Sequence, residues 1–382
     1  MNWANNLNQE QAEVHPRRLT LIAGARPNFM KIAPILHAII EARDQGKNIS
    51  FRLVHTGQHY DEKMSATFFE ELNIPAPDVH LGGGGGTQAE QTAAIMVAFE
   101  KELMANPADL VLVVGDVTST MACAIVAKKL QTKVAHVEAG IRSFDLSMPE
   151  EINRMVTDSI TDYFFTTSIW AGENLKRSGI TEDRIFFVGN VMIDTLLYNM
   201  TKFKKPQVWD DLDLKSREYL VMTLHRPGNV DGEDKFRELL QAIIDAAKGM
   251  PLIFPVHPRT RNILERMGIG AGEAPNLHLL DPMGYLEFNY LVQRAKAVIT
   301  DSGGITEETT VFGVPCMTLR DNTERPETCE IRTNALIGTD PAAIAPAMER
   351  LFNGQWQKGG IPEKWDGSAA KRIVDLLNNL EC

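Results

Sequence analysis

The sequence has 382 residues, of which 44% are hydrophobic and 23% are charged, and its formal net charge at pH 7 is −11. This length allows two domains with separate cores, and the composition is ordinary for a soluble globular protein. The negative charge argues against a surface for nucleic acid or for an anionic membrane. An anionic ligand would therefore need locally placed cations and backbone N–H groups.

Cysteine usage and the N-terminus favour a cytoplasmic protein. The first 18 residues lack the apolar segment of a signal peptide, and no apolar run is long enough to cross a membrane. The cysteines have no metal-ligand spacing, so we expect reduced thiols and neither a disulfide framework nor a metal site. They are Cys123, Cys316, Cys329 and Cys382.

Apolar runs that predict strands alternate along the chain with helical patterns. The predicted strands of the first half lie in LTLIAG, FRLVHTG, ADLVLVVGD, KVAHVEAG, DYFFTTS and RIFFVGN, and those of the second half in EYLVMTLHR, PLIFPVHP, NLHLLD, AKAVITDS and VPCMTL. The predicted helices are Lys31–Arg43, Met64–Leu72, Thr118–Leu130, Asp234–Lys248 and Ile305–Phe312. The polar segment Thr201–Lys215 breaks this rhythm and is the predicted linker.

The strands are apolar throughout, which is typical of parallel sheets that are covered by helices on both faces. We therefore predict an α/β protein with two successive doubly wound units. Ligands bind at the carboxyl ends of the strands in such sheets, so two facing units would share a cleft.

The segment AVITDSGGITEETTVFGVP is the strongest indication of a ligand. A buried strand leads through a tight turn, Asp301 to Gly304, into a helix, and this geometry directs backbone N–H groups at a phosphate. Ser302 adds a hydroxyl donor, and Gly303 and Gly304 allow close approach. The helix then carries Glu307 and Glu308. A carboxylate is repelled by phosphate, so its useful partner here is a pair of ribose hydroxyls.

Charged side chains follow several other predicted strands. Some offer positive charge to a diphosphate: Arg26, Lys31 and Arg325. Others are candidate acid/base groups or further ligand contacts: Asp116, Glu138, Glu150, His225 and His257. Any one of these acids alone is more often a helix cap or a salt-bridge partner. Strand ends converge on one edge of a sheet, however, and together these residues indicate a nucleotide-sugar site.

Two common nucleotide motifs are absent from the expected positions. The loop Gly24-Ala25-Arg26-Pro27 lacks the GK[ST] ending of a P-loop, and no GxGxxG follows the first strand. The sequence therefore indicates neither a P-loop NTPase nor nicotinamide redox chemistry.

Nine motifs resemble those of the non-hydrolysing UDP-N-acetylglucosamine 2-epimerases, in order over roughly Leu19–Thr339. They are GARPNFMKIAP, HTGQHYD, VVGDVTST, HVEAGIRS, MPEEINR, VGNVMIDTL, LHRPGNVD, DSGGITEE and RDNTERPE. The resemblance implies a glycosyltransferase-B-type fold with two Rossmann-like, doubly wound domains around a central cleft. The implied N-terminal domain spans 1–200 and is joined by the C-terminal helix 368–382, and the UDP-binding domain spans 201–367.

The resemblance also implies the reaction. UDP-N-acetylglucosamine and UDP-N-acetylmannosamine would be interconverted, without NAD or metal, by elimination of UDP and its re-addition, supplying surface-polysaccharide precursors. It further implies a cytoplasmic homodimer whose partner molecule is a UDP-sugar. The implied acid/base residues are Asp116, Glu138 and Glu150, with His225 as a further active-site position. The implied substrate contacts are Arg26, Lys31, Met283, Phe288, Ser302, Gly303, Gly304, Glu308 and Arg325, with Met283 and Phe288 at the uracil.

The sequence departs from the family pattern at positions that belong to a second, allosteric UDP-N-acetylglucosamine site. Pro227 and Gly228 follow His225-Arg226 where many members have Arg-Glu, and Ala94 replaces an arginine of some bacterial members. The matching allosteric positions are Gln58, His59, Arg226 and His257. These departures put allosteric activation in doubt, or they indicate a different sugar such as a diacetamido uronic acid derivative.

Three other functions stay open at this point. A hydrolysing epimerase would release UDP and free N-acetylmannosamine. A glycosyltransferase of the same fold would need an acceptor site, and a nucleotide-sugar sensor would bind UDP without exchange at C2.

Overall fold

The computed structural model describes residues 16–58, 72–270 and 274–380, without the side chain of Arg26. The strands in these ranges are β1 (Arg17–Ala23), β2 (Ile49–His55), β3 (Val79–His80), β4 (Leu110–Val114), β5 (Lys133–Val137), β6 (Tyr163–Thr166), β7 (Ile185–Phe187), β8 (Leu220–Thr223), β9 (Leu252–Pro255), β10 (Leu277–Leu280), β11 (Ala297–Thr300), β12 (Cys316–Thr318) and β13 (Asn334–Leu336).

The α-helices of the same ranges are α1 (Arg26–Asp44), α2 (Gln88–Ala105), α3 (Thr118–Lys129), α4 (Pro149–Ile160), α5 (Ile169–Arg177), α6 (Val191–Asn199), α7 (Gln207–Asp211), α8 (Pro227–Val230), α9 (Glu233–Ala246), α10 (Pro258–Arg266), α11 (Tyr285–Arg294), α12 (Gly303–Phe312), α13 (Pro326–Glu330), α14 (Ile344–Phe352) and α15 (Ala369–Leu377). Short 3₁₀ helices lie at Glu182–Arg184, Met200–Lys202 and Pro341–Ala343.

All eleven strands predicted from the sequence are present. The short strands β3 and β13 were not predicted, because runs of two or three residues carry too little pattern. The predicted linker, Thr201–Lys215, contains α7. Helix α12 begins at Gly303, two residues earlier than predicted. The predicted helix Met64–Leu72 lies outside the described residues except at Leu72.

The strands form two sheets whose order is that of a doubly wound α/β protein. The first sheet has the order β3-β2-β1-β4-β5-β6-β7 and the second β10-β9-β8-β11-β12-β13. The paired strands β1–β2, β1–β4, β8–β9 and β8–β11 are all parallel. The order reverses beside β1 in the first sheet and beside β8 in the second, and ligands of such sheets bind at these switch points.

The chain divides into two compact units. The first comprises residues 1–137, 155–164 and 370–382, and the second comprises residues 138–154 and 165–369. The domain boundaries expected from the sequence, 1–200 with 368–382 and 201–367, remain a prediction, because a compact unit need not move or fold as an independent domain.

Each unit has its own apolar core. In the first, Phe99 of α2 packs with Val111 and Val113 of β4. In the second, Phe236 of α9 packs with Leu220 and Phe254 of the sheet. Full burial of such a side chain contributes roughly 1.5–3 kcal/mol. None of the described helices has the length and apolar character that a membrane crossing requires.

Candidate active site

The switch point of the second sheet lies between the ends of β8 and β11. Thr223 and Thr300 end these strands as register partners, and their hydroxyl oxygens are 2.7 Å apart. The buried Asp301 follows Thr300 and accepts hydrogen bonds from the backbone N–H groups of His225 and Arg226. The loop after β8 is therefore held by the first residue of the loop after β11.

Burial alone would raise the pKa of Asp301, but hydrogen bonds from His225, Arg226 and Asn229 outweigh it and hold this pKa below its ordinary value. The carboxylate is thus ionised beside His225, whose Nδ1 lies 3.0 Å from Asp301 Oδ1. The sequence had suggested Asp301 only as a turn residue. Its position directly after the central strand β11 could have identified it as a site residue from the sequence.

The candidate phosphate loop forms the start of α12. Ser302 is the N-cap residue, and its backbone N–H donates to Thr300 Oγ1 at 3.0 Å. A Cβ atom added to Gly303 would lie 3.1 Å from Glu324 Oε2 and 3.9 Å from Arg320 Nη1. Gly303 is therefore closely packed on an ion pair, and the following N–H groups of α12 form an end suited to an anion.

The two glutamates of α12 have different surroundings. Glu307 Oε1 accepts hydrogen bonds from Asn190 Nδ2, at 2.8 Å, and from Arg325 Nε. Glu308 accepts a longer one, at 3.3 Å, from Asn289 Nδ2. Burial is the main cause that raises the pKa of Glu308 to about 7. Of the two, Glu308 is the better candidate for ribose hydroxyls.

Three arginines surround Glu324, and sequence reasoning did not identify this cluster. Arg320 donates to both carboxylate oxygens at 3.2 Å, and the guanidinium nitrogens of Arg154 and Arg226 lie 3.5 and 3.8 Å from Oε1. Although burial opposes it, the arginines lower the pKa of Glu324 to about 2. The family motifs could have indicated this cluster, since Arg154 lies in MPEEINR and Glu324 lies in RDNTERPE.

Glu138 and Glu150 both belong to the second unit but differ in exposure. Glu138 is buried, with Oε2 3.7 Å from Arg325 Nη2. Glu150 is exposed in the first turn of α4. The adjacent Glu151 is buried and accepts hydrogen bonds from Ser143, from the Phe144 backbone and from Arg154. Of this neighbouring pair, Glu150 is the one accessible to a substrate, and Glu151 stabilises the preceding loop.

The switch point of the first sheet lies between the ends of β1 and β4. Asn28 accepts hydrogen bonds from the backbone of Gly24 and Ala25 and donates to the carbonyl of Val114, two residues before Asp116. This side chain connects the loop before α1 to the loop that carries Asp116. Lys31 is half-buried one turn into α1, and Asp116 is half-buried after β4.

The buried His136 also holds the loop that carries Asp116. Its Nε2 lies 2.9 Å from the carbonyl oxygen of Gly115, and its Nδ1 lies 2.7 Å from Asp158 Oδ1. Because both ring nitrogens face oxygen acceptors, the ring is restrained from two sides. The backbone that positions Asp116 is therefore well specified within the first unit.

The predicted uracil contacts lie together in the second unit. Met283 and Phe288 are half-buried and pack against the core cluster that includes Tyr219 and Leu291. Their role at the uracil remains a prediction, because packing on a core explains both residues equally well.

The candidate allosteric residues are largely engaged by the protein itself. Gln58 Oε1 accepts hydrogen bonds from the backbone and hydroxyl of Ser119, and His257 Nδ1 accepts one from the backbone of Arg259. The rings of His225 and His257 are 6.3 Å apart. Ala94 is exposed on α2. His59 and the side chain of Arg26 lie outside the described residues.

Comparison with known proteins identifies the family. The model of the UDP-N-acetylglucosamine 2-epimerase family matches residues 41–378. This chain is 39% identical over 369 residues to the UDP-N-acetylglucosamine 2-epimerase of Methanocaldococcus jannaschii, covering 94% of this chain and 98% of that protein. The chain belongs to the UDP-N-acetylglucosamine 2-epimerase family.

A solved structure and one further relative bear on the fold and on the sugar. The crystal structure of the Methanocaldococcus jannaschii UDP-GlcNAc 2-epimerase in complex with UDP-GlcNAc and UDP superimposes with a TM-score of 0.82 and 39% identity, covering 95% of this chain and all of that one (100%). The UDP-2,3-diacetamido-2,3-dideoxy-D-glucuronate 2-epimerase of Pseudomonas aeruginosa is 37% identical over 367 residues, 95% of this chain and 100% of that protein.

Membership of the epimerase family confirms three predictions: the family itself, the α/β fold of glycosyltransferase-B type, and the assignment of the chain as an enzyme. The roles of individual residues stay predictions. Among the described residues, no group of three or more His, Cys, Asp and Glu side chains is placed to hold a metal ion.

Proposed function

We propose that this protein interconverts UDP-N-acetylglucosamine and UDP-N-acetylmannosamine without hydrolysis. The observation that carries the proposal is the phosphate loop at the switch point of the second sheet. There Ser302 and the start of α12 follow β11, and Asp301 ties this loop to His225. Relatives with similarity over nearly the whole chain are named UDP-N-acetylglucosamine 2-epimerases.

The proposed chemistry is an elimination followed by an addition. A base removes the proton at C2 of the sugar, the C2–H electrons form a C1=C2 double bond, and the C1–O bond breaks with its electrons leaving on UDP. An oxygen of UDP then attacks C1 while an acid returns a proton to C2 from the opposite face. The two steps balance without an external oxidant or reductant.

The residues available for these steps are the three predicted carboxylates. The C2 hydrogen is poorly acidic, so proton transfer needs a positioned base, and departure of UDP needs donors at its diphosphate. We assign the proton transfers to Asp116, Glu138 and Glu150, and the stabilisation of UDP to Ser302, Gly303, Gly304 and His225. Lys31 and Arg26 would add positive charge, and Glu308 would accept hydrogen bonds from the ribose.

The experiment that tests the proposal is incubation with UDP-N-acetylglucosamine in D₂O, followed by NMR. Deuterium at C2, together with two UDP-sugars at equilibrium, supports the epimerase. Free UDP with free N-acetylmannosamine would identify a hydrolysing enzyme. Transfer of the sugar to an added acceptor would identify a glycosyltransferase, and UDP binding without exchange at C2 would identify a sensor.

A related sugar is the second candidate for the substrate. The diacetamido-glucuronate 2-epimerase is nearly as similar to this chain as the UDP-N-acetylglucosamine enzyme, at 37% against 39% identity. Pro227-Gly228 after Arg226 is also a departure from the family motif. C2 exchange measured in parallel on UDP-N-acetylglucosamine and on the UDP-diacetamido-glucuronate would decide between the two substrates. A clear preference for the diacetamido uronate would reassign the substrate.

We also propose that the enzyme acts as a homodimer in the cytoplasm and supplies surface-polysaccharide precursors. The described cysteines, Cys123, Cys316 and Cys329, are all free, as is usual for a reducing compartment. Light scattering after size-exclusion chromatography would test the dimer, and loss of surface N-acetylmannosamine on gene deletion would test the supply.

A further inference from the structure

The second unit contains a cavity whose walls share no residue with the UDP-sugar site. Its volume is about 530 Å³, and it is lined by residues from the end of β6, the start of α5, β7, α13 and the segment 358–363. This volume is in the range of small-molecule pockets, roughly 300–1,000 Å³. Among the described residues, those assigned above to the UDP-sugar do not line it. The cavity is therefore large enough for a ligand of its own.

The charged side chains of the cavity wall are mostly acidic. Glu327, Glu330 and Glu363 line the cavity, and Lys358 is the one cation among the described lining residues. Like charges repel and opposite charges attract more strongly near a protein surface than in bulk water. The wall is therefore unsuited to an anion such as UDP and favours a positively charged ligand.

Glu327 is a buried carboxylate in this wall. Its exposed fraction is 8%, and neither of its oxygens accepts a hydrogen bond from another residue in the described part of the chain. The charge of Arg325 favours the ionised form, but burial and the carboxylates of Glu307 and Glu330 oppose it. Buried glutamates are usually paired, because an ionised carboxylate without a donor is costly to bury. A cation in the cavity would supply the missing donor.

A second buried polar group lines the same cavity. Thr167, directly after β6, is 1% exposed, and its hydroxyl has no hydrogen-bond partner within the described ranges. Buried polar atoms of native proteins nearly always have a partner, so each exception requires an explanation. The oxygens of Thr167 and Glu327 are both able to accept. Two acceptors in one wall indicate a ligand that carries several N–H donors.

The aromatic side chains of the wall favour an organic cation over a metal ion. Trp170 and Phe187 line the cavity, and the Nε1–H of Trp170 donates to Glu330 Oε2 at 2.8 Å, which restrains the indole. The ammonium of Lys364 already lies 4.4 Å from the centre of the Phe187 ring, so a ligand would meet Trp170. No group of three or more His, Cys, Asp and Glu in the described residues is placed to hold a metal.

We propose that this cavity binds an aliphatic amine, with ammonium hydrogen bonds to Glu327 and Thr167 and with its apolar chain packed on Trp170. Such a ligand matches the acidic wall, the two unpartnered acceptors and the indole. Binding requires no turnover of a UDP-sugar, so the site does not depend on the proposed function.

Calorimetry at constant ionic strength tests the site, with 1,4-diaminobutane as the probe. The neutral 1,4-butanediol has the same chain without charge, and magnesium chloride supplies a metal alone. At about pH 8 we expect saturable one-site binding of the diamine only, since its ammonium groups, like that of Lys, titrate near about 10.4. Glu327→Gln should weaken binding by about tenfold or more, and Trp170→Ala by about threefold or more.

The pH dependence gives a second measurement. Burial raises the pKa of Glu327 to about 7. The charged groups that act on Glu327 or share its cavity wall are Arg325, Glu307, Glu330, Lys358 and Glu363. Because the ammonium binds the ionised carboxylate, diamine affinity should rise from about pH 6 to about pH 8, by at most about tenfold per pH unit. Glu327→Gln keeps the other groups and should remove this rise.

The control variant is Glu349→Gln, which removes one exposed carboxylate of α14 outside the cavity and should bind the diamine as wild type does. Equal weakening by Glu349→Gln and Glu327→Gln would show non-specific attraction to the acidic chain and overturn the proposal. Absence of saturable diamine binding, or equally tight binding of butanediol or magnesium, would also overturn it. If Glu327→Gln fails to fold, Thr167→Val takes its place, and an unchanged affinity would count against the site.

Discussion

Asp301 holds His225 at two points, since the carboxylate accepts the backbone N–H of His225 at 3.0–3.2 Å and lies 3.0 Å from its ring Nδ1. Asp301 has no exposed surface, whereas the His225 side chain is 43% exposed. A buried carboxylate thus fixes the direction of an accessible imidazole beside the candidate phosphate loop. The His225 imidazole is thus oriented by the residue that directly precedes Ser302.

Loss of the Ser302 hydroxyl should weaken the binding of UDP. A hydrogen bond to a charged group is typically worth about 1.5–3 kcal/mol, so Ser302→Ala should reduce UDP affinity by about tenfold or more. Isothermal titration calorimetry measures this directly. Ser178→Ala, which removes a hydroxyl that bonds only within α5 and its end, is the matched control. Equal affinities for wild type and Ser302→Ala would refute the role of Ser302.

Neutral replacements of the three carboxylates should affect rate more than binding. Asp116→Asn, Glu138→Gln and Glu150→Gln keep nearly the native size but cannot transfer the proton. We expect kcat to fall by about 10²–10⁴-fold while UDP affinity is largely kept. Glu182→Gln, on the surface, serves as the control. If all three variants keep near-normal C2 exchange, the chemistry lies elsewhere, and His225 becomes the next candidate.

The affinity for UDP should depend on pH through Glu308. Burial raises its pKa to about 7, so without ligand the carboxyl is protonated below this pH and must lose the proton to accept two ribose hydroxyls. Affinity should therefore fall as the pH decreases from about 8 to about 6, by at most about tenfold per pH unit.

The control for this prediction is Glu308→Gln, which cannot titrate. UDP takes up a proton in the same pH range, because the second pKa of a phosphate is about 6. The relevant quantity is thus the difference between the wild-type and variant pH profiles. Parallel profiles would show that Glu308 does not contact the ribose.

Protein stability should depend on pH through Glu327. The Glu327 carboxylate is buried, and burial raises its pKa to about 7 from an ordinary value of 4.5, although the charge of Arg325 and the Glu327 backbone N–H oppose this shift. The folded state therefore holds this proton more tightly than the unfolded state. The resulting stability is present below about pH 4.5 and is lost as the pH rises to about 7.

Glu327→Gln should remove this loss. At about 1.4 kcal/mol per pKa unit, the free energy of unfolding of the variant should gain up to about 3 kcal/mol on wild type between about pH 4.5 and about pH 8. Urea unfolding at both ends of this range measures the gain, with the exposed Glu363→Gln as control. A variant whose difference from wild type is constant with pH would contradict the assignment.

Activation by a second UDP-N-acetylglucosamine molecule should be weak or absent. Two bound diphosphates repel each other, so a second site needs cations of its own. Pro227 and Ala94 stand where the family pattern suggests positive charge. Arg226 already lies 3.8 Å from Glu324, and Gln58 is engaged by Ser119. Reverse rates from pure UDP-N-acetylmannosamine, with and without trace UDP-N-acetylglucosamine, test this. A many-fold stimulation would show that the second site operates.

Much of the architecture follows from the sequence because a parallel sheet needs long apolar runs. The run from Leu110 to Val114 has no exposed side chain, and its pattern predicted β4 directly. The strand-to-helix connection after β11 was also predictable from Asp-Ser-Gly-Gly between an apolar run and a helical pattern, but Gly303 and Gly304, predicted in the turn, belong to α12. The short strand β13 was not predictable, because a run of three residues forms a strand only when a neighbouring strand is in place to pair with it.

The sequence by itself determined which residue types end the strands, and hence that Ser302, His225 and the three carboxylates were candidates. Only the tertiary structure decided their surroundings. The residue pattern alone does not distinguish the neighbours Glu307 and Glu308. In the structure, Arg325 and Asn190 engage Glu307, whereas burial raises the pKa of Glu308. The reason is physical: burial and ion pairing depend on side chains far apart in the chain, which local pattern does not encode.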